Sequence, residues 1–334
     1  MFKYNTNTLT FVKCFDFGQS DNGAYNLSSM ILANDGWVYG TTWGGGQYDG
    51  GTIYRINPAD RTFESLYDFD IYTYGGYPTS GLIQATDGFF YGATPGGGTV
   101  GTGVIYRFDA TNRILTVLED LSTPSEGTVP SGPPIQASDG FLYGLTTEGG
   151  SIGDGALYKF NLSNSVYSKQ ADFQDAANGS NPGGKLVEAP NGKLYAMAES
   201  GGVFTYGTLF EFDPVTSSLF VKFHFDGLNK GAYPVSSLIE YEENMLYGLC
   251  AEGGMYDEGT MFVYNVSSNI CTKVHDFNSA VDGSNPQGDL MKASNGKIYG
   301  TTNKGGTYDC GVIFEYYPVT GDYAVIHEFT TYRE

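Results

Sequence analysis

The residues best suited to chemistry in this chain are aromatic rings beside carboxylates. Tyr48-Asp49, Tyr256-Asp257 and Tyr308-Asp309 each set a phenol next to an acid inside a glycine-rich stretch, and Trp43 lies close before the first pair. Tyr25, Tyr77 and Tyr233 recur in neighbouring segments. A sugar ring has an apolar face that stacks on an aromatic platform and hydroxyls that donate to carboxylates. Trp43, Tyr48, Asp49, Tyr77, Tyr233, Tyr256, Asp257, Tyr308 and Asp309 therefore form the candidate ligand-binding set. A packing role competes with it, because residue 48 aligns with Val100 and Ile152, which reads as a buried position.

Other chemistries find less support. His224, His275 and His327 are the three histidines, with no nucleophile elbow, metal-ligand cluster or HExxH pattern. Two carboxylates across a cleft could perform glycoside chemistry, but the acids are too numerous to nominate a pair, so no catalytic residue is assigned. Asp276, Asn278 and Asp282 in "DFNSAVDGSNP" suit calcium by their oxygen content, yet EF-hand spacing and its terminal Glu are missing. No cofactor is expected, with calcium the weak candidate. Cys14, Cys250, Cys271 and Cys310 show no CxxC spacing and read as unpaired packing residues, a Cys250–Cys310 bridge being the remote alternative.

Charge bounds the partners. Seventeen Lys and Arg against 37 Asp and Glu give a net charge of −20. Phosphate backbones are repelled, which argues against nucleic acid; an acidic surface keeps a protein soluble. No apolar run approaches the roughly 20 residues of a membrane-spanning helix. The start, "MFKYNTNTLTFVKC", has no apolar signal core, so a signal peptide is expected to be absent from this chain.

The elements that must position the candidates follow from a repeat. Tyr39, Tyr91, Tyr143, Tyr195, Tyr247 and Tyr299 stand 52 residues apart, without insertion. Each copy holds four strand-like runs; in the second these are "SGLIQAT", "FFYGAT", "GVIYRFD" and "ILTVLEDL". Asp-Gly or Asn-Gly joins the first two runs at residues 35, 87, 139, 191 and 295, a two-residue hairpin signal; Glu243-Asn244 departs. Four strands per unit predict an all-β protein, a β-propeller of four-stranded blades. Six blades are favoured over seven, and a β-helix is disfavoured by the tight hairpins. Residues 1–334 are expected to form a single propeller domain. Residues 1–17 repeat the last hairpin and are expected to complete or cap the closing blade.

The recurring small residues read as structural. A Gly-Gly pair follows each signature Tyr, as at 45–46 and 97–98, and another glycine opens the third strand, as at 51 and 103. A phosphate cradle would need a following helix, so these glycines are expected to supply positive φ and close backbone approach. Gly precedes Pro by three residues at 75/78, 127/130, 179/182, 231/234 and 283/286, with Asn26 in the Pro position of the first copy. Asp16, Asp68, Asp120, Asp172 and Asp276 recur at the end of the fourth strand, replaced by His224 and Glu328 in two copies. Such a set could bind cations; hydrogen bonding to loop N–H groups is the favoured role.

"GLIQATDGFFYGATPGGGTVGTGVIYRF" and "SNPQGDLMKASNGKIYGTTNKGGTYDCGVIFEY" resemble the GloVer tandem repeat of choice-of-anchor proteins, over nearly the whole chain. The resemblance implies a bacterial, secreted or surface-attached propeller and brings no catalytic residue set. Members often carry a C-terminal sorting anchor, which "EFTTYRE" does not resemble. A kelch-like ring is disfavoured because the Trp expected late in its repeat is missing.

The longer second and fourth-to-first connections share one face, where binding chemistry is usually placed. The expected function is an extracellular binding module, monomeric, taking a glycan or protein ligand. A polysaccharide-active hydrolase or lyase with carboxylates at the ring mouth is one alternative, and a structural or adhesive array is the other.

Overall fold

The computed structural model describes the chain apart from residues 1, 6, 7, 9, 19–22, 26, 27 and 331–334. Asn26 lies outside the described residues. Of two compact units, residues 1–172 hold a two-stranded sheet and three blades, and residues 173–334 hold three blades, all antiparallel. The chain is all-β, with six four-stranded blades, the fold class of a six-bladed β-propeller. Among the described residues no helix is long and apolar enough to cross a membrane.

Strand order within a blade follows chain order. Blade 1 runs Ile31–Leu32, Val38–Thr42, Thr52–Ile56 and Phe63–Asp68, and blade 2 repeats it at Ile83–Gln84, Phe90–Thr94, Val104–Asp109 and Ile114–Asp120. Blades 3 and 5 split the first strand into two pieces on one second strand, Thr128–Pro130 with Ile135–Gln136 on Leu142–Glu148, and Ala232–Pro234 with Ile239–Glu242 on Met245–Glu252. The outer hairpin has the same irregularity in all six blades, as between Ile53 and Tyr54 in blade 1.

Burial explains why second strands such as "FYGAT" read as continuously apolar rather than alternating. Every residue of Phe90–Thr94 is buried, because both faces of the blade are covered. One cluster joins Tyr39, Ile53 and Phe69 of blade 1 to Leu82, Phe90 and Tyr106 of blade 2. Fourth strands are mostly half-buried, with a buried residue between two exposed ones only at the start of those in blades 2 and 5.

The glycines do the expected structural work. A Cβ on Gly97, whose φ is +79°, would stand 2.5 Å from the Gly75 Cα. A Cβ on Gly103 would stand 2.9 Å from the Cδ of Pro130, which belongs to the next blade. The end of the fourth strand ties the same loop down. Asp120 accepts from Thr99 N–H (2.8 Å), Asp172 from Ser151 (2.9 Å), Asp276 from Met255 (2.8 Å) and Glu328 from Thr307 (2.8 Å). His224 Nδ1 plays the same part for Val203 N–H at 3.2 Å. The recurring carboxylate is thus a hydrogen-bond acceptor for the loop backbone, the role favoured from sequence.

All four cysteines are free, Cys250 and Cys271 buried and Cys14 and Cys310 half-buried, so the Cys250–Cys310 bridge does not form.

Before blade 1 stand β1 (Phe2–Asn5) and β2 (Thr10–Lys13), an antiparallel pair in a sheet of their own. The segment that follows docks on blade 1, with Phe15 stacked on Phe63 (4.0 Å between centroids) and Phe17 against Tyr54 (5.0 Å).

Candidate functional site

Antiparallel order puts the second-to-third connection of a blade at the same end as the connection leading to the next blade. Backbone ladders lock the two together. Ala24 N–H donates to Gly44 O (2.7 Å), Gly44 N–H to Ala24 O (3.0 Å) and Trp43 N–H to Tyr25 O (2.9 Å). The next blade joins on when Tyr77 N–H donates to Gly50 O at 2.8 Å.

These bonds hold an aromatic group. Trp43 has Tyr25 on one side, edge-on at 6.0 Å between centroids, and Tyr77 on the other at 5.0 Å with the planes 32° apart. Tyr25 is 67% exposed and Trp43 38%. Both tyrosines are left-handed, at φ 58° and 60°, a conformation costing an aromatic residue about 1–3 kcal/mol. The same turn recurs at Val129, Asn181, Tyr233 and Asn285, with φ between 50° and 56°, so it belongs to the blade and only its side chain is free to vary. An open surface depression of about 600 Å³ adjoins Tyr77, lined also by Ile71, Tyr72, Gly97, Gly98, Thr99 and Gly101.

The remaining candidates are spread over other loops. Tyr48 shares the Trp43 loop and is exposed. Tyr256-Asp257 and Tyr308-Asp309 occupy the corresponding loops of blades 5 and 6, both tyrosines exposed. The buried role that competed for position 48 is not what the structure shows, because Tyr48, Val100, Ile152, Phe204, Tyr256 and Tyr308 are all exposed. Tyr233 meets Tyr206 edge-on at 6.0 Å, in a smaller counterpart of the Trp43 group.

The three aspartates have a structural task. Asp49 Oδ1 accepts from Gly45 N–H (2.9 Å), Asp257 from Gly253 (3.2 Å) and Asp309 from Gly305 (2.8 Å), all three being left-handed. Each therefore spends one oxygen on closing its own loop.

Sequence reasoning left out Tyr72 and Tyr206. Neither belongs to the repeat: Tyr206 aligns with Gly50, Thr102 and Glu258, and an aromatic at an otherwise polar or small loop position was the available signal.

The acids of the calcium candidate are engaged elsewhere. Asp276 pairs with Lys273 (2.8 Å), and Asp282, with an oxygen 3.0 Å from His275 Nε2, accepts from Asn278 N–H (2.7 Å). Among the described residues no three His, Cys, Asp or Glu are grouped to hold a metal ion. Burial lowers the pKa of His224, keeping it neutral as an acceptor.

Over residues 72–253 and 132–334 the chain matches the family model described as the Gloeobacter/Verrucomicrobia repeat. None of the curated proteins matches it. Among solved structures it is similar to a putative 6-phosphogluconolactonase from Bacteroides uniformis, at 14% identity and TM-score 0.63 over 97% of this chain and 89% of that one. An oligogalacturonate lyase from Vibrio parahaemolyticus aligns at 13% identity and TM-score 0.59, over 93% of this chain and 81% of that one. The extracellular domain of a putative one component system from B. thetaiotaomicron aligns at 15% identity and TM-score 0.61 over 89% of this chain. The chain spans only 34% of that domain's length. At such identities the likeness is one of fold.

Proposed function

The chain belongs to the Gloeobacter/Verrucomicrobia repeat family, and from that premise we propose that it is an extracellular binding module whose loop face takes a carbohydrate. The observation that carries this reading is the Tyr25–Trp43–Tyr77 group, whose Tyr25 and Trp43 are exposed and whose Tyr77 is half-buried, held by backbone hydrogen bonds from two successive blades. A fixed aromatic platform loses little entropy on stacking against a sugar face. The depression beside Tyr77 extends the surface open to the same ligand. A net charge of −20 favours a neutral or cationic ligand over an anionic one. The extracellular domain among the similar folds and the acidic composition support a place outside the cell.

The test is a screen against plant and microbial glycans, with calcium and with chelator, following reducing-end release in the same wells. Binding without release, weakened at least tenfold by Trp43→Ala, is the expected result. Release of reducing ends would replace the binding module with an enzyme, and silence in both channels would remove carbohydrate as the ligand.

A further inference from the structure

Blade 4 departs from the repeat at three places in one group of loops. Glu199 stands where blade 1 has Trp43 and the other copies have Pro95, Thr147, Ala251 and Asn303. Tyr206 stands where they have Gly50, Thr102, Asp154, Glu258 and Cys310. Thr205, just before it, is left-handed at φ 66°, a conformation that the other five copies give to Asp49, Gly101, Gly153, Asp257 and Asp309. For a β-branched residue it costs about 1–3 kcal/mol. The blade itself requires none of the three, because five copies build the same loop without them.

Backbone contacts bring these residues to the loop leading into blade 5. Tyr206 O accepts from Tyr233 N–H at 3.0 Å, and the two rings meet edge-on, 6.0 Å between centroids and 80° between planes. Tyr206 also lies over Gly227, where a Cβ would stand 3.1 Å from the ring. Glu199 faces Asn181 across the ladder, between the pairs Ser180↔Ser200 and Pro182↔Ala198. A Cβ on Gly207 would stand 2.7 Å from Glu199 O and 2.6 Å from the Cδ of Pro234, the residue after Tyr233. Glu199 thus holds, relative to Tyr233, the backbone place from which Trp43 reaches Tyr77.

Glu199 and Tyr206 are exposed, and Tyr233 is half-buried. Shielding by the surrounding loops pushes the Glu199 carboxyl up, and no donor or cation among the described residues opposes that shift. Aromatic faces attract an organic cation through their quadrupole, and a carboxylate that no protein cation neutralises supplies the opposite charge. We infer that blade 4 carries a separate site for an alkylammonium cation, seated against Tyr206 and Tyr233 with its charge toward Glu199. The site shares no residue with the Trp43 group, so it stands or falls apart from the glycan screen.

The probes are tetramethylammonium and n-butylammonium chlorides, titrated into the full chain at constant ionic strength and followed by saturation-transfer NMR of the cation. The expected result is saturable binding of at least one of them, weakened about tenfold by Glu199→Gln and by Tyr206→Ala. Tetramethylammonium alone would identify a quaternary head group as the ligand, and butylammonium alone an amine that donates hydrogen bonds to the carboxylate. Glu243→Gln removes the same charge from the hairpin turn of blade 5 and should bind as wild type does. No saturable binding, or binding that either Glu199→Gln or Tyr206→Ala leaves unchanged, would overturn the inference. So would an equal loss in Glu243→Gln, which is what general attraction to a chain of net charge −20 would give.

Discussion

Tyr91 Oη donates to Asp87 Oδ2 at 2.6 Å, closing the hairpin turn with the signature tyrosine of the repeat. Tyr39 with Asp35 and Tyr143 with Asp139 do the same at 2.8 Å. Blades 4 and 6 reverse the polarity. Asn191 and Asn295 donate to Tyr195 and Tyr299, and these hydroxyls in turn donate hydrogen bonds to Glu211 (2.5 Å) and Glu315 (3.1 Å). Lys193 and Lys297 then neutralise the added acid, where the first three blades place Trp37, Phe89 and Phe141 under Arg55, Arg107 and Lys159. In five of the six blades the signature tyrosine of the core therefore has one polar partner in the turn.

Asp87→Ala should leave the buried Tyr91 hydroxyl without its acceptor and destabilise the protein by about 1–3 kcal/mol. Urea unfolding followed by circular dichroism measures this, and Asp87→Asn should recover part of the loss, since asparagine serves in two native copies.

Gly97→Ala should be at least as damaging. Its Cβ would press on the Gly75 backbone at a φ of +79°, so neither contact nor conformation can relax cheaply. A fall in melting temperature of several degrees is expected, and a smaller one for Gly101→Ala, whose φ of +85° carries similar strain but whose Cβ would meet open space.

Acid should loosen the loops through Asp172. Burial pushes its carboxyl up, but the hydrogen bonds from Ser151 and Lys169 outweigh this and hold it below the usual range. A pKa depressed on folding adds stability above the unfolded value, about 4, which is lost as pH falls through the depressed value. The stability gap between wild type and Asp172→Asn should thus be full at pH 6 and shrink below about pH 4, as thermal melts across that range would record.

The thiols should separate into two classes. Cys250 is fully buried with its thiol pushed well up, and burial pushes Cys271 up to about 12. In the native state a thiol reagent should titrate Cys14 and Cys310 quickly and the other two only on unfolding.

The sequence carried the blade plan because repetition multiplies weak local signals. The 52-residue spacing of Tyr39 to Tyr299 and the Asp-Gly turns were enough for four strands per copy and six copies. The partner of the signature tyrosine was also within reach, four residues upstream at Asp35 and again in four later copies, but the recurring Asp or Asn was accounted for by the turn alone. The site was harder. Exposure of Tyr48 could not be read from its alignment with Val100 and Ile152, because loop ends here present apolar side chains to solvent in every copy. Nor did composition reveal that Tyr25 and Tyr77 sit at left-handed φ, where glycine or asparagine is the usual choice. Backbone bonds between blades impose that geometry, and they appear only once the chain is folded.

The platform is tested most directly through Trp43 itself. In a Trp37→Phe variant, which copies the residue found at Phe89 and Phe141, Trp43 is the sole tryptophan and its emission reports on the Tyr25–Trp43–Tyr77 group alone. Titration with glycans identified by the screen should give a saturable change in that emission, abolished by Tyr77→Ala. A glycan that binds while Trp43 emission stays unchanged would place the site elsewhere and contradict the account.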